Sequence, residues 1–124
     1  MKYRQGFVTN SSSTSYLIAH EKNSSTIELL EWMDKFINGN GYGSLEFYLS
    51  ANLDDERIKE IQGYFKWLKQ QFNEPYPVEL DNAVESNMSI SKVEIENWQD
   101  ELKEYIYMAI DSDEKSKLIS TDLE

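Results

Sequence analysis

The stretch SLEFYLSANLDDERIKEIQGYFKWLKQQFN, Ser44 to Asn73, changes its repeat partway along. Over Ser44–Ser50, Leu45, Phe47 and Leu49 fall to one side and Glu46 and Tyr48 to the other. That two-residue alternation is the signature of a strand. From Asp54 to Asn73 the repeat becomes helical, with Ile58, Ile61, Phe65, Leu68 and Phe72 on one stripe. Asp54, Asp55 and Glu56 open this segment and Lys66 and Lys69 lie late in it, the distribution that a helix dipole favours. Pro75 and Pro77 stop it from continuing, because proline lacks the N–H and crowds the preceding turn. A clear strand followed by a clear helix places the chain in the α+β class.

Working back toward the N-terminus, Thr26–Asn38 reads as another helix. Ser25 and Glu28 have the spacing of a capping box, and Ile27, Leu30, Met33 and Ile37 track one face, widened by Leu29, Trp32 and Phe36. Gly39-Asn40-Gly41-Tyr42-Gly43 ends it, since glycine accepts the left-handed stop conformation. Lys2–Thr9 and Ser15–Ala19 read as strands joined by a polar run in which Asn and Ser can bond to nearby backbone. Toward the C-terminus, Val78-Glu79-Leu80 and Met88-Ser89-Ile90 are expected to be short strands. Ser91 and Glu94 then cap a long helix over Lys92–Ile110, carrying Ile95, Trp98, Leu102, Tyr105 and Ala109. Ser112–Ser120 is a further helical turn or a frayed tail. The expectation is a single domain over residues 1–124, fraying from about 112, with a small mixed or antiparallel sheet and about three helices on one of its faces.

Composition narrows the function. With 40% hydrophobic and 13% aromatic residues the chain can build a core. It has no cysteine and one histidine, which excludes disulfides, thiolate metal sites and multi-histidine clusters within one chain. No run is long enough to span a membrane, no secretory h-region is present, and a cytoplasmic location is the default. The net charge is −11 and is unevenly spread. Residues 75–124 hold thirteen acids and four bases, or −9, against −2 for residues 1–74. Such a surface repels phosphates, so neither direct nucleic-acid nor membrane binding is expected; a basic protein surface is the complementary partner.

Three features are candidates for a site. Asn10, Ser11, Ser12, Ser13, Thr14 and Ser15 form a polar loop that could offer hydroxyls and amides to a small anion or nucleotide, although it lacks the glycines of a phosphate loop. Glu94, Glu96, Asp100, Glu101 and Glu104 are candidate acidic interface residues on the last helix, with Trp67 as an aromatic contact off the main stripe. His20 could pair with one of Ser11–Ser15, but no orienting acid or nucleophile elbow accompanies it. No catalytic residue, metal or cofactor is assigned, and self-association is left open.

Two resemblances touch short strings only. Met1-Lys2-Tyr3-Arg4-Gln5-Gly6-Phe7-Val8-Thr9-Asn10-Ser11-Ser12-Ser13-Thr14-Ser15-Tyr16 resembles an N-terminal element of small uncharacterised bacterial and phage proteins, with Tyr16 where Phe is usual. It implies a bacterial or phage setting and no chemistry. Arg4, Ser13-Thr14-Ser15 and Glu94-Ile95-Glu96 resemble fragments of the mono-ADP-ribosyltransferase family. There the first two lie on well-separated strands; here they flank one short loop. The reading favoured by the sequence is a small acidic, non-enzymatic protein-binding module, in a phage or mobile-element setting one that blocks a basic nucleic-acid-handling partner. The alternative is a nucleotide or small-anion binder, or an enzyme, using Asn10–Ser15.

Overall fold

The computed structural model describes residues 13–41, 47–96 and 100–121. The chain runs β1 (Ser13–His20), α1 (Thr26–Gly39), β2 (Phe47–Asn52), α2 (Asp55–Phe72), α3 (Val78–Glu85), β3 (Ser89–Glu96), α4 (Asp100–Ser112) and β4 (Lys117–Thr121). The four strands form one antiparallel sheet in the order β2-β3-β1-β4. β1 and β2 therefore run parallel with β3 between them, and β3 and β4 run parallel with β1 between them. Two split β-α-β units, β1-α1-β2 and β3-α4-β4, are interleaved, with α2 and α3 inserted between them.

β1 explains the layering. Tyr16, Leu17, Ile18 and Ala19 are all fully buried, which a strand achieves only when both sheet faces are covered. Tyr16 and Ile18 point into a core with Leu29, Met33 and Ile37 of α1, Val93 of β3, and Ile106 and Ile110 of α4. Leu17 and Ala19 point the other way, into Ile61, Phe65 and Leu68 of α2, Leu80 and Ala83 of α3, Ile90 of β3 and Ile119 of β4. Helices lie on both faces of the sheet, where the sequence suggested one. The short sheet has enough apolar residues in β1 to seat a layer on each side.

The long helix α2 forms as its periodicity requires. Asp54 accepts the Arg57 N–H at 2.8 Å, and Asn73 closes the other end in the left-handed conformation (φ 55°), donating to Lys69 O. Its buried stripe of Ile61, Phe65 and Leu68 contributes roughly 1.5–3 kcal/mol per side chain. α1 carries the full capping box: Ser25 Oγ accepts Glu28 N–H, and Glu28 Oε2 accepts Ser25 N–H.

Three expectations are corrected. Val78–Leu80 is the first turn of α3 and not a strand; Leu80 and Ala83, three residues apart, are its buried face. The helix expected from Lys92 begins at Asp100, and Ser89–Glu96 is a strand paired on both edges. Lys117–Thr121 is an edge strand on β1, and neither a helical turn nor a tail. The strand expected over Lys2–Thr9 lies outside the described residues. No helix among the described residues is long and apolar enough to cross a membrane.

Candidate functional site: a buried histidine hub

The end of β1, the end of β2, the start of β3 and the N-terminus of α1 meet around His20. Strand parity puts His20 on the same face as Tyr16 and Ile18, and Ser91 of β3 on the same face as Val93. Ile18 and Asn52 are the register partners of Ser91 on its two sides. After His20 the chain turns through Glu21–Asn23, with Asn23 left-handed (φ 63°), and enters α1. Ser24 N and Ser24 Oγ both donate to the Glu21 carbonyl, at 3.0 and 2.7 Å, which closes the turn.

This geometry builds a continuous polar chain inside the protein. His20 is 2% exposed, Ser91 is fully buried and Thr26 is buried. His20 Nδ1 lies 2.6 Å from Ser24 Oγ, and His20 Nε2 lies 2.7 Å from Ser91 Oγ. Ser91 Oγ lies 2.7 Å from Thr26 Oγ1, which donates to Asn52 Oδ1 at 2.8 Å. Burial pushes the His20 pKa below its usual 6.5, opposed by the nearby Glu28 carboxylate, so the ring is neutral at pH 7.

Thr26 Oγ1 donates to Asn52 Oδ1, and Ser91 Oγ also reaches that oxygen at 3.4 Å. Either hydroxyl can donate in the Ser91–Thr26 contact. A neutral ring carries only one N–H, so one ring nitrogen donates to its serine and the other accepts, and these contacts admit both tautomers. With the proton on Nε2 toward Ser91, Nδ1 faces Ser24 Oγ as an acceptor; with the proton on Nδ1, the Ser24 hydroxyl accepts from the ring and donates to the Glu21 carbonyl.

Two clefts flank the hub, and Ser24 lines both. One, of about 490 Å³, is also walled by His20, Leu29 and Trp32, with Glu21, Glu28, Asp113 and Lys115 supplying its charge. Lys115 Nζ bridges to Glu21 Oε1 at 3.2 Å across it, an exposed pair worth little to stability. The other, of about 580 Å³, opens beside the first turn of α1 and the end of β2. Among the described residues, no three His, Asp or Glu side chains converge as metal ligands.

The residues singled out by sequence fall elsewhere. Asn10, Ser11 and Ser12 lie outside the described residues. Ser13, Thr14 and Ser15 belong to β1 and not to a loop, and they are register partners of Glu96, Ile95 and Glu94. Glu94, directly opposite Ser15, does not favour an anion there. The same register sets the Ser-Thr-Ser and Glu-x-Glu fragments side by side on neighbouring strands of one sheet. Glu94 and Glu96 are on β3 and Asp100, Glu101 and Glu104 on α4, so the five acids do not share one helix. Trp67 is 47% exposed, stacked on Tyr64 (6.4 Å) and edge-on to Phe72 (5.5 Å), which is itself exposed.

Sequence reasoning weighed His20 with Ser11–Ser15 and missed Ser24 and Ser91. Ser24 was legible as a hydroxyl four residues beyond His20, in a turn that leads into a capped helix. Ser91, Thr26 and Asn52 became partners only through sheet pairing. Comparison with protein-family models, curated proteins and solved structures finds no match for this chain.

Proposed function

We infer that this protein is a protein-binding module whose α2–α3 insertion carries the contact surface and whose partner is basic. The observation behind the reading is that four exposed large apolar side chains, Trp67, Phe72, Val78 and Val84, all lie on this one insertion. Trp67 and Phe72 are held against each other as a preformed aromatic anchor, the residue type that dominates binding energy in interfaces. The connection to α3 and α3 itself add exposed Glu74, Glu79 and Glu85 and no base, while α2 carries exposed Lys66 and Lys69 close in sequence to the aromatic pair. The charge of −9 over residues 75–124 favours a basic partner and disfavours direct contact with nucleic acid or membrane phosphates.

A nucleic-acid-handling protein is the finer form of the proposal, because such a protein presents cations where phosphates sit. Glu94, Glu96, Asp100, Glu101 and Glu104 would extend the acidic field, and the N-terminal resemblance fits a bacterial or phage setting.

The test is capture from nuclease-treated bacterial lysate with tagged wild type and with the double variant Trp67→Ala/Phe72→Ala. A basic protein recovered by the wild type and lost by the folded variant supports the reading. Equal recovery by both removes the insertion as the contact surface, and recovery of no basic protein removes the partner class.

A further inference from the structure

We propose that Ser24 is a nucleophile, with His20 as its general base and Ser91 as the residue that positions the imidazole, and that the site acts on carboxylic esters. Two observations carry this. The nucleophile–base contact is formed, with Ser24 Oγ 2.6 Å from Nδ1, and the far side of the ring is anchored by buried Ser91 at 2.7 Å. Ser24 also sits in the strand-to-helix connection after β1, where it lines both clefts. The reaction uses the tautomer with its proton on Nε2 toward Ser91, which leaves Nδ1 basic toward Ser24.

The surroundings define the substrate class. In the cleft of about 490 Å³, Leu29 and Trp32 offer an apolar wall to an acyl or alkyl group. Glu21, Glu28 and Asp113 outnumber Lys115, so a carboxylate- or phosphate-bearing substrate is repelled. An uncharged or amine-bearing ester fits. The positive end of α1 starts just beyond Ser24, where the first-turn N–H groups of Thr26 and Ile27 have no carbonyl within the helix to bond.

In the reaction, Ser24 Oγ bonds to the acyl carbon while its proton passes to Nδ1, giving an imidazolium whose Nε2–H stays on Ser91. The bond to the alkoxide leaving group breaks, and Nδ1 returns the proton to that oxygen. Water then attacks the acyl-serine, gives its proton to Nδ1, and the carboxylic acid and the Ser24 hydroxyl are released. No oxidant, reductant or metal enters the balance.

The experiment is labelling of the folded protein with an uncharged alkyl fluorophosphonate, in which Ser24 Oγ displaces fluoride, located by peptide mass spectrometry. Hydrolysis of p-nitrophenyl acetate is followed in parallel. The expected result is one adduct on the peptide containing Ser24, absent from Ser24→Ala, with labelling and hydrolysis rising together as His20 loses its proton. Ser91→Ala, confirmed folded by circular dichroism, is expected to slow labelling at least tenfold and to move the midpoint of its pH profile. A merely structural serine would leave that midpoint in place. Nitrogen-15 NMR of His20 is expected to show the proton on Nε2. A proton on Nδ1, no adduct on Ser24, or equal labelling before and after urea unfolding overturns the proposal.

Discussion

Ser91→Ala removes one oxygen from the centre of the polar chain, and its cost can be worked from the contacts. Ser91 is fully buried and bonds His20 Nε2 and Thr26 Oγ1, each at 2.7 Å. Thr26 keeps its bond to Asn52, so it loses one accepted bond, a net effect of about 0.5–1.5 kcal/mol. Among the described residues His20 Nε2 has no second hydrogen-bond partner, His20 is only 2% exposed, and an orphaned buried polar group costs about 1–3 kcal/mol. Switching the tautomer does not rescue it, because a bare Nε2 lone pair would be equally orphaned. Together these give about 1.5–4.5 kcal/mol, or roughly 5–18 °C in Tm for a domain of this size. Ser24→Ala deletes the other ring contact, but Ser24 borders both clefts and water can replace its hydroxyl; about 0.5–1 kcal/mol is expected. Urea unfolding, followed by circular dichroism and tryptophan fluorescence, measures both, compared at unchanged m-value. If the two variants cost the same, or Ser91→Ala costs under about 1 kcal/mol, the hub is wet and the orphan argument fails.

His20 is the only histidine, so a stability change near pH 6 has a clear owner. Its folded pKa lies below 6.5, so on acidification the unfolded chain binds the proton first. Stability is therefore whole above about 6.5, falls by at most about 1.4 kcal/mol per pH unit toward the depressed folded value, and then levels; His20→Asn should flatten this part of the curve. Tyr76 donates to Asp81 Oδ1 at 2.6 Å and holds that carboxyl below its usual range, helped by Gln62. Tyr76→Phe should raise the Asp81 pKa by carbon-13 NMR and cost about 0.5–1.5 kcal/mol, a contribution present above the unfolded carboxyl pKa and lost as pH falls through the folded one. Leu80→Ala empties a fully buried site on α3 and should cost about 2–5 kcal/mol by urea unfolding. Trp67→Ala, on the half-exposed ladder of α2, should cost only about 0.5–1.5 kcal/mol in the same assay.

What the sequence made legible follows how local each signal is. The capping box at Ser25 and Glu28, the acidic start of α2 and the apolar run Tyr16–Ala19 each act within a few residues, and each formed as read. Ser89–Glu96 was misread because its Ser91 and Glu94 mimic a cap and Ile95 continues the spacing of the helix that follows. Its alternation in Val93-Glu94-Ile95-Glu96 is equally good for a strand, and pairing with both β1 and β2 decides between them. Lys117–Thr121 offers only Leu118 and Ile119 as a local cue, and the open edge of β1 turns it into a strand. The His20 hub was hidden for the same reason: Ser91 lies 71 residues from His20, and nothing short of the register joins them.

The strand order bears on how the chain is made. Of the four described strands β1 is made first, and both of its described neighbours, β3 and β4, belong to the last third of the sequence. At about 5–20 residues per second, Tyr16–Ala19 waits several seconds before β3 or β4, the described strands that flank it, has been made. Helices α1 and α2 can condense meanwhile, but only β3, pairing with β1 on one edge and β2 on the other, joins them across a sheet. The central strand of the finished protein is thus the most exposed part of the nascent one, and a chain released before β3 would offer that strand to any other unpaired edge nearby.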